Sequence, residues 1–178
     1  EVLSRIGGTW NRKAKGHIFE IDPTALLDLV CSTGKMPPKN PTAFFATPDE
    51  LAQELVDIPM DAKHVLEPSA GKGAIARVMR AYLQRYDIHA TLDCCEILPC
   101  FQDLLRTDGF TVVASDFLAY HPDYQFDAIC MNPPFSLESD TLAYVAHVEH
   151  AWSLLAPYGI LKAIVPGGFA FREDRRIK

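Results

Sequence analysis

Two hydrophobic rhythms alternate along the chain. Val65–Glu67, Thr91–Ile97, Phe110–Ala114, Phe126–Met131 and Ile160–Val165 each predict a short strand, and the apolar run Phe126–Met131 a buried one. Between them the apolar residues recur every three or four positions. Leu51, Leu55 and Ile58 follow Thr47, and Ile75, Val78, Met79, Tyr82 and Leu83 follow Gly73. Pro99 to Arg106 predicts a helix closed by Gly109, and Thr141 to Leu155 a long one closed by Pro157-Tyr158-Gly159. Five strands alternating with helices predict an α/β fold: a mainly parallel, Rossmann-like sheet with helices on both faces. Its ligand crevice should lie at the C-terminal ends of the strands.

The segment ahead of this alternation is different. Gly7-Gly8-Thr9-Trp10 and Gly16-His17-Ile18-Phe19 predict a small hairpin or arm outside the core, and Asp22-Pro23 opens a short helix over Ala25 to Val30. A loop from Ser32 to Pro41, with one glycine and three prolines, divides the chain. Residues 1–40 read as an N-terminal extension and 41–178 as the main domain. That domain opens on a capping-box pattern, Thr47-Pro48-Asp49-Glu50. Phe44 and Phe45 just before it either staple the helix or flank a ligand at its N-terminus.

Composition narrows the class. With 48% hydrophobic and 22% charged residues over 178, the chain has the make-up of one soluble, cytoplasmic globular domain, without a bilayer-spanning run or a signal peptide. Five cysteines lack paired metal-ligand spacing, so reduced, mostly buried thiols are expected and no metal. The net charge of −6 is unevenly spread. Arg5, Arg12, Lys13 and Lys15 outnumber Glu1 and Glu20 at one end; Arg172, Arg175, Arg176 and Lys178 outnumber Glu173 and Asp174 at the other. Basic ends around an acidic body permit phosphate contacts there.

The chemistry is concentrated at strand ends. Glu67, Glu96, Asp116 and Asn132 each stand where a predicted strand stops. After Glu67 come Pro68-Ser69-Ala70-Gly71-Lys72-Gly73, a glycine turn from strand into helix that lets a ligand approach the backbone closely. It lacks the GK[ST] ending of a phosphate-binding P-loop and the GxGxxG spacing of a dehydrogenase. An acid placed as Glu96 is can accept hydrogen bonds from ribose hydroxyls. Asn132-Pro133-Pro134-Phe135 ends the fourth strand abruptly. Two prolines remove two N–H donors and stiffen the backbone. An NH₂ group held there could donate to the Asn132 side-chain oxygen and to a backbone carbonyl such as that of Pro133, while Phe135 stacks on the ring that carries it.

In this order the motifs resemble the class I S-adenosylmethionine-dependent methyltransferases, in particular the amino-methyltransferases that act on adenine N6 in DNA. The resemblance runs from about Phe44 to Val165. It implies that Glu67, Pro68, Ser69, Ala70, Gly71, Gly73 and Thr47 hold the methionine moiety of S-adenosylmethionine, that Glu96 takes the ribose, and that Asp116 and Phe117 take the cofactor's adenine. It further implies that Asn132, Pro133, Pro134 and Phe135 form the catalytic tetrapeptide, acting on a base flipped out of DNA. Two departures accompany it. The family's last two strands are not expected in this chain, and no target-recognition domain is visible. An RNA adenine, a protein glutamine amide, or an inactive methyltransferase-like binding subunit are the competing readings.

Overall fold

The structure, a computed structural model, describes residues 2–19, 22–34, 45–135 and 142–167. The arm expected at the N-terminus is an antiparallel hairpin, β1 (Thr9–Asn11) with β2 (Gly16–Ile18), preceded by a single helical turn α1 (Val2–Arg5) that the sequence reading had not placed. Asn11 Oδ1 accepts the backbone N–H groups of Lys13 and Ala14 at 2.9 Å each, which closes the turn and leaves Arg12, Lys13 and Lys15 exposed. Helix α2 (Thr24–Thr33) is longer than its apolar core suggested, and Pro23 precedes the helix instead of occupying its first turn. The basic residues Arg172, Arg175, Arg176 and Lys178 lie outside the described residues, as do Phe44 and most of the proline-rich loop.

Helix α3 (Asp49–Leu55) corrects the capping-box expectation. Pro48, with extended φ and ψ, precedes its first residue, and no side chain caps the helix. The apolar stripe is also shifted: Ala52 and Leu55 are buried, Leu51 is exposed, and Ile58 is buried only after the helix has ended. Thereafter strand and helix alternate as expected. The strands are β3 (His64–Glu67), β4 (Thr91–Cys95), β5 (Thr111–Ala114), β6 (Phe126–Met131) and β7 (Leu155–Ala163). The helices are α4 (Ala74–Arg85), α5 (Pro99–Thr107) and α6 (Ala143–Ser153).

All five strands from β3 onward are parallel, in the order β5-β4-β3-β6-β7. The order reverses between β3 and β6, the point where an open sheet leaves a crevice beyond its strand C-termini. Period-two alternation places Val65, Ala128 and Cys130 in one apolar cluster, with Ile75, Met79 and Leu83 of α4 and with Ala52 and Leu55 of α3. Leu66, Ile129 and Met131 belong to another, with Phe117, Ala151 and Leu154. The central strands β3 and β6 are covered on both faces, so β6 reads as a nearly continuous apolar run, whereas β5 and β7 at the edges are only half-buried. Each fully buried Ile, Leu or Met contributes about 1.5–3 kcal/mol. All five thiols are free: Cys94, Cys95 and Cys130 are buried, Cys31 and Cys100 exposed. Burial pushes the Cys130 thiol up to about 11 and Cys95 to about 12.

The expected turn at Pro157-Tyr158-Gly159 lies inside β7. Leu155 pairs with Phe126 and Ile160 with Ala128, so four residues loop out opposite Asp127 before the ladder resumes. A Cβ on Gly159 would sit 2.9 Å from the Phe126 carbonyl oxygen, so the close approach there needs glycine. Asp127 Oδ2 accepts the backbone N–H groups of Lys63 and His64 at 2.7 and 3.1 Å, tying the entry of β3 to β6.

Candidate active site

The crevice at the switch point is a cavity of about 450 Å³. The end of β3 and the glycine turn contribute Glu67, Pro68, Ser69, Ala70 and Gly71; the ends of β4 and β5 contribute Glu96, Asp116 and Phe117. Thr47 enters from before α3, and Asn132 and Pro134 from the end of β6. Phe45 and Asn132, 87 positions apart in sequence, thus share one wall. Three expected site residues stand off it. Gly73 lies beneath the turn, Pro133 is buried, and Phe135 is half-buried facing Phe45.

The glycine turn is held open by its neighbours. Gly71 and Gly73 take φ of 53° and 80°, the left-handed region where a side chain would be strained. Glu96 clamps the turn from the adjacent strand: its Oε2 accepts the Gly71 N–H at 2.6 Å and its Oε1 the Leu98 N–H at 2.8 Å. Each oxygen keeps a second lone pair for a ligand. Burial raises the Glu96 pKa against the pull of those N–H groups. Glu67 is 1% exposed, and its Oε2 has no hydrogen-bond partner among the described residues. Desolvation holds its pKa well above the usual carboxylate range, Glu96 pushes the same way, and the Ala76 N–H and Arg77 oppose. A buried, unsatisfied oxygen in a pocket wall is costly unless a bound group meets it.

Asp116 Oδ1 accepts the Leu118 N–H at 2.9 Å and starts a short 3₁₀ turn (Phe117–Ala119) that sets the Phe117 ring into the pocket. Behind that ring stand His147 and His150 of α6, at 5.9 and 4.8 Å between centroids. His147 lines the cavity and was not foreseen, since a lone histidine on an apolar helix carries no signal. Its Nδ1 donates to the Ala143 carbonyl at 2.9 Å, and burial lowers its pKa, so a neutral ring presents Nε2 as acceptor.

Asn132 is half-buried at the rim, open to the crevice. Its Nδ2 donates to Thr47 Oγ1 at 3.0 Å and to the Phe45 carbonyl at 3.5 Å. A carbonyl only accepts, so the NH₂ must face Phe45 and the amide oxygen is the atom left to offer. Thr47 therefore holds Asn132 where a helix cap was expected.

An open sheet with reversed strand order, an acid at the end of each of the first three core strands and a glycine turn at the crevice defines the class I methyltransferase fold. The chain belongs to the Methyltransferase small domain family, which it matches over residues 48–168. S-adenosylmethionine is the cofactor, and the residues of this pocket fit it: the unpartnered Glu67 oxygen can accept from a bound N–H group, the glycine turn exposes backbone, and Phe117 offers a flat apolar wall. A tRNA1(Val) (adenine(37)-N6)-methyltransferase of Aliivibrio fischeri is 24% identical over 124 residues, covering 57% of this chain and 51% of the relative. Among solved structures, a type I restriction-modification methyltransferase subunit from Streptococcus thermophilus matches with a TM-score of 0.61 and 16% identity over 74% of this chain and 36% of its own. A class I S-adenosylmethionine-dependent methyltransferase from Listeria monocytogenes, itself described as putative, gives 0.61 and 14%, over 84% and 54%. The likeness to these two structures is one of fold, and the chain spans 51% of the Aliivibrio relative's length and 36% and 54% of those of the two structures.

Proposed function

We propose that the protein transfers a methyl group from S-adenosylmethionine to the exocyclic N6 amino group of an adenine in a nucleic acid. The observation that carries this reading is the orientation of Asn132. Its NH₂ is engaged by Thr47 and Phe45, so its oxygen is aimed as an acceptor at the rim of the cofactor cavity. Bound in the cavity, the cofactor supplies an electrophilic sulfonium methyl. Glu67 and the turn to Gly73 hold its methionine end, Glu96 its ribose, and Asp116 with Phe117 its adenine.

Asn132 Oδ1 and a backbone carbonyl of the proline pair accept the two N–H bonds of the target amine. That grip favours the pyramidal nitrogen whose lone pair can attack in line. The help is positional and electrostatic, directed at the positive charge that develops on nitrogen. The new N–C bond would replace the methyl–sulfur bond, whose electron pair stays on sulfur in the departing demethylated cofactor; neither acceptor keeps a proton, so one would then leave the nitrogen for water. The target ring must be out of its stack to reach this rim, with Phe135 as a stacking face.

A tRNA adenine is the target named for the Aliivibrio fischeri relative, and the sequence resemblance is to enzymes of DNA adenine; adenine N6 is the chemistry they share. The test is transfer of labelled methyl to unmodified tRNA, to DNA free of N6-methyladenine, and to glutamine-containing peptides. Asn132→Ala should lower transfer to the nucleic-acid target by at least about 10²-fold while cofactor affinity by calorimetry stays within about twofold. Equal losses in both would refute the division of labour. Cofactor binding without transfer to any substrate would favour a binding subunit.

A further inference from the structure

Phe45 was expected to staple α3 or to flank a ligand. The structure removes the first role: the ring is 64% exposed, and the helix starts four residues later without it. An apolar ring this exposed, in no apolar cluster of the described residues, needs another reason for its place. It lines the cofactor cavity, and it faces Phe135 with ring centroids 6.5 Å apart and planes 22° from parallel. Its own carbonyl receives the Asn132 NH₂, so the backbone that carries this ring also orients the catalytic amide.

We propose that Phe45 and Phe135 are the two walls of a slot that holds the target purine face-on, with Phe45 the specificity-determining wall. This rests on the adenine reading above. Carbon atoms stack at about 3.5 Å, so a flat ring between two others sets the outer planes about 7 Å apart. The 6.5 Å between centroids is the most that the plane spacing can be, so the rings must part by at least about half an ångström, through side-chain rotation, to admit a third. In the slot a purine would present its edge, and therefore its amino group, towards Asn132. A glutamine side chain offers only a small planar amide, without the area of a purine ring, and gains little from two walls. The slot thus selects a nucleobase over an amide before any hydrogen bond is made.

The test uses the full-length protein with Phe45→Ala, Phe45→Leu and Phe45→Trp, assayed on unmodified tRNA and on DNA free of N6-methyladenine. Loss of one stacking face should raise KM for the nucleic acid about tenfold in the Ala variant. The Leu variant, apolar but not flat, should lose nearly as much, and the Trp variant should return to wild-type values. Cofactor affinity should stay within about twofold throughout. An unchanged KM in Phe45→Ala overturns the slot, and so does a tenfold loss of cofactor affinity, which would make Phe45 a cofactor wall. If wild-type protein methylates neither nucleic acid, the adenine reading itself falls, and the slot with it, before any variant is compared.

Discussion

The sharpest perturbation is Thr47→Val, which keeps the shape and β-branching of the side chain and deletes only its hydroxyl. That hydroxyl accepts from Asn132 Nδ2 at 3.0 Å and caps no helix. A hydrogen bond of this kind is worth about 0.5–1.5 kcal/mol net. If it is spent on keeping the Asn132 oxygen aimed at the target amine, its loss should lower kcat by about 2- to 12-fold, at 1.36 kcal/mol per factor of ten. Stability should hardly change, because the half-buried Asn132 can redirect its NH₂ to water. Thr47→Ser should restore kcat. The assay is steady-state methyl transfer alongside urea unfolding, with cofactor affinity measured separately. Had Thr47 been the cap that its neighbours in sequence suggest, the valine variant would lose about 1 kcal/mol of stability and keep its kcat. That outcome refutes the reasoning, as does a loss confined to cofactor affinity.

For Glu67→Gln, the sign follows from burial. The folded carboxyl titrates well above its ordinary 4.5, so above that pH the native protein keeps a proton the unfolded chain has lost, and stability falls as pH rises through the gap. The isosteric amide should abolish that contribution, making the ligand-free variant at least as stable as wild type at pH 8 while weakening cofactor binding; parallel stability curves from pH 4.5 to 8 would refute it. Gly73→Ala must carry a side chain at φ +80° with its Cβ 3.0 Å from Leu105 Cδ2, and should cost about 1–2 kcal/mol in denaturant unfolding, together with cofactor affinity. Tyr124→Phe removes the O–H that donates to the buried Asp93 Oδ2 at 2.6 Å, and should destabilise by about 1–3 kcal/mol with kcat unchanged, measured by unfolding and transfer assays in parallel.

Much of this protein is legible in one dimension because the signals are local. Phe126–Met131 is a strand from residue to residue, since an apolar run interrupted only by Asp127 and stopped by Asn132 and two prolines leaves the backbone little else to do. The period of Ile75, Met79 and Leu83 puts those side chains on one buried stripe of α4 whatever they pack against. The glycine turn and the acids at strand ends identify the crevice because parallel strands bring their C-termini to one side. Their lining of a single cavity follows from topology that the alternation already implies.

Contacts between distant segments were decided only by tertiary structure. Thr47 carries a capping pattern, yet its hydroxyl went to Asn132, 85 residues away, because residues 45–47 lie against the end of β6. The partner of Phe45 is Phe135, which no spacing announces. His147 enters the pocket because α6 packs its face behind Phe117, and a histidine in an apolar helix looks the same in sequence wherever that face points. Local propensity and periodicity are short-range, so sequence alone placed the core strands, the helices between them and the acids at the strand ends. The orientation of one amide and the pairing of two rings depend on long-range packing, and only the folded chain supplies it.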